Sequence, residues 1–73
     1  MKNFEKIEAA LSAVEKSKFP NVEFDEIGES EKYDGLCYSR GCGKHKGKEV
    51  DVTIYIDGNT LEVVEILIEE IKN

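Results

Sequence analysis

Residues 50–57, Val-Asp-Val-Thr-Ile-Tyr-Ile-Asp, alternate branched apolar and polar side chains without a break. Side chains with a period of two fall on opposite faces of an extended chain, so this segment predicts a strand with one face buried and one wet. Such a strand needs a covering layer for Val50, Val52, Ile54 and Ile56. It also needs hydrogen-bonding neighbours for its backbone. The rest of the chain must supply both.

The cover is legible upstream. Phe4, Ile7, Ala10, Leu11 and Val14 recur at helical spacing and predict a helix from about Phe4 to Lys18. Asn3 is placed to cap its start. Lys16 and Lys18 suit the negative end of its dipole. Phe19-Pro20 ends it, because the residue before a proline is pushed out of the α region. Val22-Glu23-Phe24-Asp25 then opens a strand that runs to about Ile27, with the alternation breaking at Asp25-Glu26-Ile27 as a bulge or an early end would. A turn over Gly28–Lys32 leads to a second strand, Tyr33–Ser39. Taking Leu36 and Tyr38 as inward places Tyr33, Gly35 and Cys37 outward.

After the third strand, Asp57-Gly58-Asn59 reads as a turn. Asn59 followed by Glu62 resembles a capping box. Leu61, Val64, Leu67, Ile68 and Ile71 then make a helical stripe, which predicts a second helix, with Val63 and Ile66 outside the stripe as a contact for a weak homodimer. The expected fold is therefore α+β. The element order is α-β-β-β-α, in a single domain over residues 1–73, with a three-stranded antiparallel sheet and both helices packed on one face.

The other sheet face is then open, and it would display Glu23, Asp25, Cys37, Asp51, Thr53, Tyr55 and Asp57. Charge gives that face a meaning. The chain carries a net −6, yet residues 40–48 hold Arg40, Lys44, Lys46 and Lys48 with no acid, so the remainder sums to −10. A field of this sign disfavours nucleic acid and anionic lipid and favours a protein partner with a basic surface. The expected contacts are Glu23, Asp25, Tyr33, Asp51, Tyr55 and Asp57 on the acidic face. Arg40, Lys44, Lys46 and Lys48 form a second, basic contact on a loop.

Residues 37–48 also gather Cys37, Cys42 and the single histidine, His45. Zinc sites use four such ligands, with paired cysteines two to four residues apart. Three ligands at this spacing fall short, so no metal or other cofactor is expected. A metal- or redox-responsive regulator using Cys37, Cys42 and His45 is the alternative reading of the chain. The segment does not match the phosphate-loop pattern, because Lys44 is followed by His45 and a strand where that pattern requires a helix. Cys42 and His45 share one glycine-rich loop without an orienting group or oxyanion hole, so an enzyme is not expected. No apolar run approaches a membrane span of roughly 18 residues. Glu5, Glu8 and Glu15 interrupt the N-terminal pattern as no secretory signal would. A cytoplasmic protein with free thiols is the expectation.

Two resemblances bear on this reading. The α-β-β-β-α order resembles the topology of double-stranded-RNA-binding domains. Those domains open their last helix with a basic glycine–lysine segment, where this chain has Asp57-Gly58-Asn59, and its net charge opposes a duplex. Small size and strong negative charge resemble phage-encoded inhibitors, including anti-CRISPR proteins. That resemblance implies a compact, non-enzymatic blocker of a basic, nucleic-acid-binding surface.

Overall fold

In the computed structural model, residues 4–71 are described, so the Asn3 cap lies outside them. The elements are α1 (Phe4–Lys18), β1 (Val22–Glu29), β2 (Leu36–His45), β3 (Lys48–Asp57) and β4 (Val63–Glu70). The four strands form one antiparallel meander in the order β1-β2-β3-β4. The fold is α+β, with one helix where two were expected.

Helix α1 follows the sequence pattern. Ile7 and Leu11 are fully buried, with Ala10 and Val14 packed at their side, and Phe19 N–H closes the last turn on Glu15 O at 2.9 Å. On the sheet, Val50, Val52, Ile54 and Ile56 are buried while Asp51, Thr53, Tyr55 and Asp57 are half-buried. Together with Phe19, Val22 and Cys37, these residues form a single core. No helix among the described residues is long and apolar enough to cross a membrane.

The second helix is strand β4. Asp57 Oδ1 accepts the N–H groups of Asn59 (2.7 Å) and Thr60 (3.0 Å), and Leu61 N–H bonds Asp57 O at 2.9 Å. Leu61, at φ 65°, reverses the chain so that residues 63–70 run back along β3. Two forces decide against the helix. Val63, Val64, Ile66 and Ile68 are branched at Cβ, which favours strand over helix. The second edge of β3 also needs hydrogen-bond partners, a demand the helical stripe of this segment does not register. The topological resemblance to double-stranded-RNA-binding domains ends with the second helix, and so does a homodimer contact built on it.

Strand β2 corrects a second expectation. Residues 40–45 are strand, not loop, and the turn joining β2 to β3 is only Lys46-Gly47, both at positive φ (54° and 79°). Two successive left-handed residues make the hairpin turn whose twist matches its flanking strands. This turn sets the register His45↔Lys48, and hence Cys37↔Ile56 and Ser39↔Ile54. Directly opposed residues share a face, so Cys37 and Ser39 lie in the core and are buried. Leu36 and Tyr38 face the other way. The inward and outward sets expected for this strand are exchanged, and Tyr33 lies in the turn ahead of it.

Gly41 and Gly43 exist for close approach. A Cβ on Gly41 would lie 2.0 Å from Glu23 O, and one on Gly43 would lie 2.4 Å from Asn21 O. The start of β1 therefore lies against the core face of β2 with no room for a side chain between them. Of the two alternatives at Asp25–Ile27, the bulge is present and the early end is not: the register shifts between Phe24 and Glu26, and β1 continues to Glu29. Ser39, the buried polar residue of the core, donates to Glu15 Oε2 at 2.6 Å and ties β2 to α1.

Candidate functional site

With α1 on one side, the opposite face of the sheet is open. Strand register assigns its rows. Glu26, Arg40, Thr53 and Leu67 lie side by side across the sheet, followed by Gly28, Tyr38, Tyr55 and Glu65. On the other side of the first row stand Glu23, Cys42, Asp51 and Glu69.

Three tyrosines meet in the second row. Tyr33 reaches from its turn and packs edge-on to Tyr55, with centroids 5.4 Å apart and an interplanar angle of 90°. Tyr38 lies 6.3 Å from Tyr55 at 47°. Both separations fall in the range where aromatic pairs attract. The Tyr38 ring lies over Gly28, where a Cβ would meet it in ordinary contact at 3.6 Å. The Tyr38 hydroxyl donates to Glu26 Oε2. That bond raises the phenol pKa above its ordinary value of 10.0, helped by partial desolvation and the negative charges of Glu26 and Glu31, while Arg40 opposes the shift. Tyr38 is therefore a fixed, protonated ring at neutral pH.

Beside this cluster lies a shallow depression of about 330 Å³. Its wall carries the carboxylates of Glu26, Glu29 and Glu31, the rings of Tyr38 and Tyr55, and the cations Arg40 and Lys32. Lys32 Nζ stands 5.2 Å from the centre of the Tyr33 ring. A cation over a tyrosine face is attracted by the ring's quadrupole, so this contact helps to hold Lys32 and Tyr33 together. The lining offers carboxylates that can accept charge-assisted hydrogen bonds and, beside them, tyrosine rings.

The predicted contact residues separate on this frame. Glu23, Asp51, Tyr33 and Tyr55 belong to the open face. Asp57 shares it through the pair Leu36↔Asp57, but its carboxylate is engaged with Asn59 and Thr60. Asp25, in the bulge, lines a recess on the helix side with Glu8, Ser12 and Glu15. The basic loop is divided too. Arg40 lies within the open face, Lys44 near the end of β2, Lys46 in the turn, and Lys48 pairs with Glu70 at 3.2 Å.

Cys37, Cys42 and His45 do not converge. Neither cysteine is in a disulfide; Cys37 is buried on the helix face and Cys42 is exposed on the open one. Five residues along a strand separate them by roughly 17 Å at the usual rise. His45 packs against Phe19 with ring centroids 4.8 Å apart. No group of three or more metal-binding side chains is placed around one point among the described residues. A regulator that closes these three residues on one ion has no geometry to work with.

Sequence reasoning missed Glu26, Glu29, Glu31 and Tyr38. The signal for Tyr38 lies in Lys46-Gly47: counting back from a two-residue turn puts Tyr38 opposite Tyr55 and on its face. No family model, curated protein or solved structure matches the chain.

Proposed function

We propose that this chain is a small, acidic, non-enzymatic protein-binding module that docks a basic surface of a partner onto its open sheet face. The observation that carries the reading is the Tyr33–Tyr38–Tyr55 cluster bordered by Glu26, Glu29 and Glu31. Tyrosines held by one another lose little side-chain freedom on binding, and they are over-represented among the residues that dominate interfaces. A lysine or arginine of the partner enters the depression, where it meets carboxylates at the rim and ring faces below. The net charge of −6 steers the encounter and repels nucleic acid, which would compete for the same basic partner surface. The module thereby acts as a cytoplasmic blocker of a nucleic-acid-binding surface, in the manner of the phage-encoded inhibitors it resembles in size and charge.

An affinity capture from the native host, read by mass spectrometry, tests this. The wild-type chain is compared with the E26K/E29K/E31K variant and with E8K, which reverses an exposed charge on α1. Partners retained by wild type and E8K but lost by the triple variant support the reading. Equal capture by the triple variant, or equal loss with E8K, overturns it.

A further inference from the structure

The two edges of the sheet differ. Strand β1 is interrupted by the Asp25 bulge and lined with Glu23, Glu26 and Glu29, features that discourage a further strand. Strand β4 also carries a register shift and three glutamates, Glu65, Glu69 and Glu70, but it differs in its exposed apolar side chains. Val63 is 42% exposed, Val64 55%, Leu67 45% and Ile68 48%, so β4 shows apolar side chains on both faces of the sheet. Helix α1 packs against β1 and β2 and leaves this side uncovered.

The hydrogen-bond phase of β4 follows from one contact. Ile71 N–H bonds Glu49 O at 2.9 Å. Successive residues of an antiparallel strand turn their amide groups to alternate sides. Glu69, Leu67 and Glu65 therefore address β3, while Ile66 and Ile68 direct N–H and C=O to the outer edge. The side chains of Ile66 and Ile68 lie on the helix face, and those of Glu65, Leu67 and Glu69 on the open face.

We propose that the outer edge of β4 receives an extended segment of a partner protein, with basic and apolar residues in alternation, as a fifth antiparallel strand. Its apolar side chains lie beside Ile66 and Ile68. Its cations lie beside Glu65 and Glu69 and cover Leu67 with their aliphatic stems. Charge selects this occupant over a second copy of the chain. Described residues 61–71 carry Glu62, Glu65, Glu69 and Glu70 and no cation. A symmetric pairing centred on Ile66 sets Glu62 against Glu70, and one centred on Leu67 sets Glu65 against Glu69, so both oppose like charges across the seam. This edge is separate from the open-face depression, and its test does not depend on that site.

The probe is a capped (Lys-Val)4 peptide titrated into the wild-type chain at low salt, followed by amide NMR. Binding should shift and protect the Ile66 and Ile68 amides. Methylating the valine nitrogens, whose N–H groups face β4, should weaken binding at least tenfold, whereas methylating the lysine nitrogens should leave it within twofold. A (Glu-Val)4 peptide should not bind. The E26K/E29K/E31K variant should retain the response, which separates a failure here from a failure of the open-face reading. The proposal is overturned by equal binding of the valine-methylated peptide or by shifts centred on β1. Protection of Ile66 and Ile68 that rises with protein concentration in the absence of peptide also overturns it, by making a second copy the occupant.

Discussion

Replacing Gly41 with alanine tests the packing that shapes the sheet. The added Cβ would lie 2.0 Å from Glu23 O and 2.6 Å from the Phe24 Cα, both backbone atoms that no rotamer change can move aside. Restoring an ordinary contact of 3.4 Å to the oxygen requires β1 to retreat by about 1.4 Å. Such a shift stretches the hydrogen bonds of the Glu23↔Cys42 pair beyond useful length. Two weakened bonds at about 1 kcal/mol each, with overpacking of about 1–3 kcal/mol, give a loss of roughly 3–5 kcal/mol. A chain of 73 residues has a total stability of roughly 4–11 kcal/mol, so G41A should lose from about a quarter to all of it. The reference is G47A, where the added Cβ meets nothing within 4 Å and only the φ of 79° opposes alanine, at about 1 kcal/mol. Urea unfolding followed by circular dichroism measures both. A loss in G41A within about 0.5 kcal/mol of that in G47A, a margin set by ordinary surface-mutation scatter, would refute the close approach of β1 to β2.

Other consequences are independent of that contact. Lys46 holds a φ of 54°, so K46N, which creates the favoured Asn-Gly turn, should stabilise the protein by about 0.5–1 kcal/mol in the same unfolding assay. The Tyr38 phenol titrates above its ordinary value because of its bond to Glu26, so E26Q should lower its midpoint in an ultraviolet tyrosinate titration while leaving the fold intact. Because the folded pKa is raised, the contribution of this bond to stability is complete below the unfolded value of 10.0 and disappears as pH climbs through the folded one. Cys42 should react with a thiol reagent at once, and buried Cys37 at least about 100-fold more slowly, since it requires opening of the core.

Local patterns made α1 and β3 legible, because each buries one face and its side chains repeat at the period of its own element. Residues 61–71 were not legible in this way. Leu61, Val64, Leu67, Ile68 and Ile71 satisfy a helical stripe, yet Ile66, Ile68 and their polar neighbours also satisfy a strand. What decides between them is the unpaired edge of β3, which no window over residues 61–71 contains. The β2 face was misread for a related reason. Gly41 and Gly43 suggested a loose loop, but they are strand glycines that admit the backbone of β1. Treating residues 40–48 as a loop left the register free, whereas Lys46-Gly47 fixes it. The acidic face was anticipated through Glu23, Asp51 and Tyr55. The tyrosine cluster was not, because its centre depends on the face of Tyr38.

Carboxyl footprinting of the complex with a captured partner tests the central claim most directly. Each accessible carboxylate is amidated in the free and bound protein and quantified by mass spectrometry. The account predicts protection of Glu26, Glu29 and Glu31 on binding, with Glu5 and Glu8 on α1 labelled equally in both states. Protection confined to Glu5 and Glu8, with the three open-face glutamates unchanged, would contradict it.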